Sequence, residues 1–327
     1  MAPLLEVKNL KVVFHTSAGT VKAVDGMSYY IDEGEVVGLV GESGCGKSVS
    51  QMAITQLIAT PPGEIVGGEV IFEGENLLRY KAESNQMRVI RGGEIGMVFQ
   101  EPMTSFNPVF TIGDQIMESL ILHLKFNRQD AKQRASELLE LVGIPDAKIR
   151  VDNYPHQFSG GMRQRAMIAM ALSCNPKLVI ADEPTTALDV TTQAQVLEVM
   201  MEMTEKFQNS LVIVTHNLGI VARHAQRIYV MYAGRIVESG TADDVFIDPR
   251  HPYTIALLKS VPRLDEERGR QLVPINGLPP NLIDMPPVCA FKARCSFSGQ
   301  CTKESDPELK QVGDKHFTRC HLNIGGK

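Results

Sequence analysis

Three short stretches of this 327-residue chain combine residue types suited to handling a phosphorylated ligand. The first, Gly41-Glu42-Ser43-Gly44-Cys45-Gly46-Lys47-Ser48, fits the pattern G-x-x-x-x-G-K-S/T. Glycines there let backbone N–H groups converge on phosphate oxygens, Lys47 supplies charge to the β and γ phosphates, and the Ser48 hydroxyl can ligate Mg²⁺ at a helix start. The expected nucleotide contacts are Ser43, Gly44, Cys45, Gly46, Lys47, Ser48 and the adjoining Val49. At average composition the four fixed positions match by chance in about one such chain in a hundred. The second stretch, Lys177-Leu178-Val179-Ile180-Ala181-Asp182-Glu183, is an apolar strand that ends in two carboxylates. α/β sheets hold ligands at that end of their strands. Asp182 is expected in the Mg²⁺ shell, and Glu183 is expected to take a proton from, or orient, the water that attacks the γ-phosphate. Alone, such a pair reads as a solvated loop or helix cap; beside the loop at Gly41 it reads as chemistry. The third stretch, Phe158-Ser159-Gly160-Gly161-Met162-Arg163-Gln164-Arg165, places a capping serine before two glycines that let a phosphate approach. By itself it is a plain helix start.

These groups need a scaffold, and the apolar pattern supplies one. Leu4 to Phe14 alternates roughly apolar and polar, and after a loop at His15 to Thr20 a second extended stretch reaches Ile31, which predicts an antiparallel β layer. Glu35 to Val40 is a short apolar run that feeds the glycine-rich loop and a helix. Glu94 to Phe99, Leu178 to Ala181 and Leu211 to Thr215 read as further buried strands. Between them lies a mainly helical region, including Asp114 to Leu124 and Gln129 to Val142. The fold class is therefore α/β, a mostly parallel sheet covered by helices. Beyond about Gly240, prolines at 249, 252, 262, 274, 279, 280, 286 and 287 break the chain into short pieces. The expected division is a nucleotide-binding domain over 1–240, with a helical subdomain at about 101–175, and a separate module over 241–327.

Composition narrows the classes of function. With 43% hydrophobic and 22% charged residues the chain reads as globular. Its longest apolar runs, such as Met167 to Leu172, fall short of a membrane span, and the N-terminus lacks a secretory leader, so a cytoplasmic location is expected. A net charge of -5 argues against a nucleic-acid partner. Cysteines are uneven: Cys45 and Cys174 stand alone, whereas Cys289, Cys295, Cys301 and Cys320 follow a C-x5-C-x5-C-x18-C spacing. In a module poor in apolar residues these four could form disulfides, hold a structural Zn²⁺, or carry an iron–sulfur cluster, and spacing does not choose.

Taken in order, these motifs resemble the ATP-binding subunits of ABC transporters, whose signature L-S-G-G-Q precedes a strand ending in Asp-Glu. Phe158 and Met162 stand where the family commonly has leucine and glutamine, and Ser159, Gly160 and Gly161 are retained. The resemblance covers about residues 4 to 320. It implies an ABC-type P-loop NTPase core with an antiparallel β layer, a helical subdomain and a small irregular C-terminal module. It also makes Gln100 the glutamine that contacts Mg²⁺ and water, Asp189 an aspartate at the dimer interface, and His216 the histidine that bonds the γ-phosphate. Asn217 stands where the family usually has aspartate. Phe14, at the end of the first strand, becomes the aromatic that stacks on adenine. Gln100 to Pro108 and Arg250-His251-Pro252-Tyr253-Thr254 resemble the peptide and nickel importer branch. That branch implies ATP-driven uptake of di- or oligopeptides, with nickel or another small solute as the alternative. It also implies a second, distinct ATPase subunit, two membrane permease subunits, an extracytoplasmic solute-binding protein acting indirectly, and a place on the cytoplasmic face of the membrane. The C-terminal extension resembles that of dipeptide-permease ATPases, which implies a 4Fe-4S cluster on Cys289, Cys295, Cys301 and Cys320, with Zn²⁺ as the alternative. Non-transport ABC ATPases of DNA repair or translation carry long coiled-coil insertions or two such domains in one chain, and neither feature is present.

Overall fold

A computed structural model describes residues 2–186, 188–260, 274–283 and 285–325. Pro262, in the proline-broken stretch, and Ala187, just before Leu188-Asp189, lie outside the described residues. The chain forms two compact units, one of Met1–Ile31, Val36–Leu78 and Thr215–Lys327, the other of Asp32–Glu35 and Arg79–Val214.

The first unit opens with the expected antiparallel layer, in the order Gly19–Ile31, Leu5–Thr16, Gly63–Phe72, Glu75–Asn76. Leu5 sits opposite both Ile31 and Phe72, and Leu5, Val7, Leu10 and Val12 are buried. The alternation is only rough because the register shifts between Val7 and Lys11. There Asn9 takes a positive φ and its N–H donates to Ser28 Oγ. Strand Val36–Val40 is buried along its whole length and runs parallel to Arg227–Tyr232. This accounts for its unbroken apolar run. Arg227–Tyr232 turns at Ala233-Gly234, both at positive φ, into the antiparallel strand Arg235–Thr241. The late chain then adds strands: His316–Thr318 pairs with Arg235–Thr241, and Lys310–Gly313 pairs with His316–Thr318. Glu238, fully buried between them, accepts from the N–H groups of Arg250 and His251 and bonds His316 Nε2. A buried carboxylate is tolerable because its oxygens are so fully used.

The second unit holds three parallel strands, Ser210–Thr215, Leu178–Asp182 and Ile95–Val98, in that order. Helices Ile112–Leu124, Arg128–Leu141, Gly160–Ala171 and Val190–Phe207 accompany them. Their starts are set by side-chain caps: Thr111, Asn127, Ser159 and Asp189 each accept the N–H three residues on. The Thr111 cap begins the first of these helices two residues before the Asp114 expected from apolar spacing. The cost of losing one such cap is about 1 kcal/mol.

Candidate functional site

In the first unit the glycine-rich loop follows strand Val36–Val40 and enters helix Lys47–Ile54, with Gly46 at the cap position. Gly41 and Gly46 are required by space and by backbone. A Cβ on Gly41 would lie 2.2 Å from Met231 O, and one on Gly46, at φ 104°, would lie 2.1 Å from Ala23 O. The cap residue, Gly46, brings no side-chain hydrogen bond to the helix's first turn. Lys47 is buried, and its Nζ donates to the carbonyls of Gly41 at 2.8 Å and Glu42 at 3.0 Å. Ser43 and Gly44 lie in the turn before the helix, and Ser48 and Val49 lie in the helix's first turn. Cys45 is buried, its thiol pushed up by desolvation, and its carbonyl accepts the N–H of Gly234. Phe14 is half-buried against Gly63 near the end of the first strand. His216, just past Thr215, is exposed. Asn217 caps helix Leu218–His224 through Gly219 N–H, so the asparagine performs the capping an aspartate there would.

In the second unit Asp182 ends its strand and Glu183 follows it, both buried. Glu183 takes φ 45°, rare for a residue with a side chain. It is held there by its N–H to Val214 O at 2.8 Å and by Thr186 Oγ1, which donates to Oε2 at 2.7 Å. Strain of this kind is retained where the surroundings over-determine a functional group. Gln100 follows the neighbouring strand, whose Val98 pairs with Ala181, so Gln100 and Glu183 leave the same end of adjacent parallel strands. Ser159 caps helix Gly160–Ala171 through Met162 N–H, with Phe158 buried before it as an apolar anchor. Asp189 caps Val190–Phe207 and accepts from Thr192 N and Oγ1 at 3.0 and 2.7 Å. Those bonds hold its carboxyl below the usual range. A Cβ on Gly161 would meet Thr192 Cγ2, so the serine–glycine strip and the turn carrying Asp189 are neighbours.

The four late cysteines, back in the first unit, line one recess together with His251, Phe291 and His321. Burial raises the thiols of Cys289, Cys295 and Cys320, and every pair among the four is close enough to raise one partner's thiol further. Their thiols are free. Among the described residues no group of three or more His, Cys, Asp or Glu side chains is placed to hold a single metal ion.

Sequence reasoning missed the neighbours of the phosphate-type loop. Glu42 N–H donates to Tyr253 Oη at 2.8 Å, and both carboxylate oxygens of Glu42 accept from Arg294, at 2.7 and 2.9 Å. Tyr253 sits in the Arg250 to Thr254 motif, which in the sequence marks only the branch. Nothing in the sequence flagged Arg294.

The motif order and this geometry define an ATP-binding cassette, and comparisons with known proteins agree. Residues 24–186 match the family described as ABC transporter, and residues 237–301 match the oligopeptide/dipeptide transporter C-terminal region. The oligopeptide transport ATP-binding protein OppD of Bacillus subtilis is 51% identical over 98% of this chain and 88% of its own length. The dipeptide transport ATP-binding protein DppD of Haemophilus influenzae is 49% identical over 98% and 96%. Among solved structures, the ATP-binding cassette MJ0796, a dimer in a post-hydrolysis state bound to ADP and Pi, superposes with a TM-score of 0.65 at 26% identity, over 73% of this chain and 98% of that one. The chain belongs to the ABC transporter ATP-binding family, in the branch that bears the oligopeptide/dipeptide transporter C-terminal region.

Proposed function

We propose that this chain binds and hydrolyses Mg-ATP to energise import of di- or oligopeptides. The observation that carries the reading is the loop Gly41–Ser48, with buried Lys47 at the head of a helix whose cap residue is Gly46, in a chain similar over nearly its whole length to OppD and DppD. Lys47 and the loop N–H groups hold the phosphates, Ser48, Asp182 and Gln100 serve Mg²⁺, and Phe14 stacks on adenine. Glu183 takes the proton of the attacking water, and His216 bonds the γ-phosphate. Ser159, Gly160, Gly161 and Asp189 serve the nucleotide of a second, homologous ATPase subunit. The exposure of Ser159 and Asp189 supports that role.

Among the described residues no helix is long and apolar enough to cross a membrane. We read the chain as peripheral, docked on two permease subunits at the cytoplasmic face, with a solute-binding protein acting through them. Exposed Met103, Val109 and Phe110, soon after Gln100, offer apolar surface for that docking. Uptake by the reconstituted transporter decides the substrate: ATP-dependent accumulation of labelled dipeptide supports the reading, and accumulation of nickel without peptide overturns it.

We read the four C-terminal thiols as the holders of a 4Fe-4S cluster, since they share one recess walled by Phe291 and Leu322. When bound, the cluster would supply thiolate–iron bonds that staple the module. Purified without oxygen, the chain is expected to carry about four irons and four sulfides, the count of one such cluster. A Cys295→Ser variant is expected to lose them. Stoichiometric zinc without visible absorbance would overturn the cluster and leave the ATPase reading intact.

A further inference from the structure

Glu42 is an anomaly in a loop built to hold anions. A free carboxylate at that position would oppose a bound triphosphate, yet it is flanked by the N–H groups and the lysine that attract one. The structure resolves this from the other end of the chain. Arg294 closes the short turn Lys292–Arg294 and has a side chain only 5% exposed. It meets both carboxylate oxygens of Glu42 in a fork, and its own place is fixed by Asn276 O at 3.1 Å and Tyr232 Oη at 3.3 Å. Hydrogen bonds to Glu42 raise its already high pKa, so the charge is permanent. Tyr253 Oη holds the N–H of the same residue, and Tyr232, Tyr253 and Phe291 pack ring to ring behind it at 4.6 to 5.4 Å. The carbonyl of Glu42 in turn holds Lys47 Nζ. Every polar group of Glu42 is thereby occupied, and its N–H and its carboxylate are both held by residues beyond 250.

We propose that Arg294 is a positioning residue for nucleotide binding. It neutralises Glu42, keeps that carboxylate turned away from the phosphates, and through the Glu42 backbone presets the loop that orients Lys47. A preset loop loses less freedom when the ligand arrives, and a neutralised one does not repel it. The C-terminal module thus completes the nucleotide loop of its own chain, whatever its thiols carry.

The inference rests on reading Gly41–Ser48 as the nucleotide loop, and the test separates the two. Mg-ATP binding to the full chain is measured by calorimetry for the parent, Arg294→Met, Arg294→Lys and the double variant Arg294→Met/Glu42→Gln. Arg294→Met is expected to weaken binding about tenfold, the scale of losing one charge-assisted pair. Arg294→Lys, which keeps the charge and loses the fork, is expected to fall between. The double variant is expected to recover to within about threefold of the parent, because no uncompensated carboxylate is left. A purely structural pair would give the opposite pattern, with the double variant as weak as Arg294→Met or weaker. That result, or an Arg294→Met affinity within twofold of the parent, overturns the proposal. If Arg294→Met does not fold, Arg294→Gln against Arg294→Gln/Glu42→Gln makes the same comparison. A parent chain that binds no Mg-ATP would overturn the loop assignment itself.

Discussion

The loop Gly41–Ser48 and the strip Ser159–Gly161 both present glycines and a helix start, but they are built to different standards. The loop is enclosed: a Cβ on Gly41 would lie 2.2 Å from a backbone carbonyl, Lys47 is 4% exposed, and Glu42 is held on every polar group. At Gly160 a Cβ would find its nearest neighbour 3.6 Å away, and Ser159 is exposed, its hydroxyl accepting the N–H of Met162. One region is finished within the chain. The other is shaped locally by a single cap and leaves Ser159 exposed, as the proposed role across a dimer would require. The same contrast separates affinity from turnover. Changes in the loop should reach nucleotide binding by the isolated chain, and changes in the strip should reach only hydrolysis by the assembled pair.

The largest effect tests the enclosed side. Lys47→Ala removes the buried ammonium, and hydrolysis should fall about 10²–10³-fold, the usual cost of losing one preorganised group at a developing charge. Nucleotide binding by the chain alone should weaken as well. Undiminished binding would mean that Lys47 is committed to the carbonyls of Gly41 and Glu42 and does not reach phosphate.

Ser159 tests the open side with two substitutions that pull its duties apart. Aspartate caps a helix about as well as serine does, whereas alanine gives up about 1 kcal/mol. Ser159→Asp should therefore melt like the parent but lose about 10²-fold or more in hydrolysis, because a carboxylate replaces a hydroxyl facing phosphate. Ser159→Ala should melt about 2 °C lower and keep about a tenth of the activity. Both should bind Mg-ATP as single chains. If Ser159→Asp hydrolyses normally, Ser159 is a cap and nothing more, and the contrast with the loop disappears.

What the sequence revealed follows the range of the interactions involved. The buried strands were legible because a run such as Val36–Val40 is apolar along its length, and the helix starts because Ser159 and Asp189 cap within three residues. The bulge at Asn9 only blurred an alternation that remained readable. The fork between Arg294 and Glu42 was invisible: it joins residues 252 positions apart, and an isolated charged pair leaves no periodic trace. Strand His316–Thr318 was missed for a related reason, since three residues are too few to show alternation. For the cysteines, the sequence showed that four are crowded near the end, while their convergence on one recess depends on irregular turns that no apolar pattern encodes.

The smallest effect concerns Asp189, which shares the open side with Ser159. Hydrogen bonds from Thr192 Oγ1 and N hold its carboxyl below the usual value. A carboxyl depressed in the folded state contributes stability that is fully present above the unfolded pKa, about 3.9, and is lost as pH falls through the folded value. Melting temperature should thus be insensitive to this group from neutral pH down to about 5 and should lose its contribution below about 4. Asparagine caps comparably, so Asp189→Asn should melt within about 1 °C of the parent at pH 7. The difference between the two melting profiles should appear only in acid. At neutral pH the same variant should bind Mg-ATP normally as a single chain and hydrolyse it several-fold more slowly once paired. A loss of binding in the single chain would instead place Asp189 with the enclosed loop, and the division between a finished site and an open one would have to be redrawn at that residue.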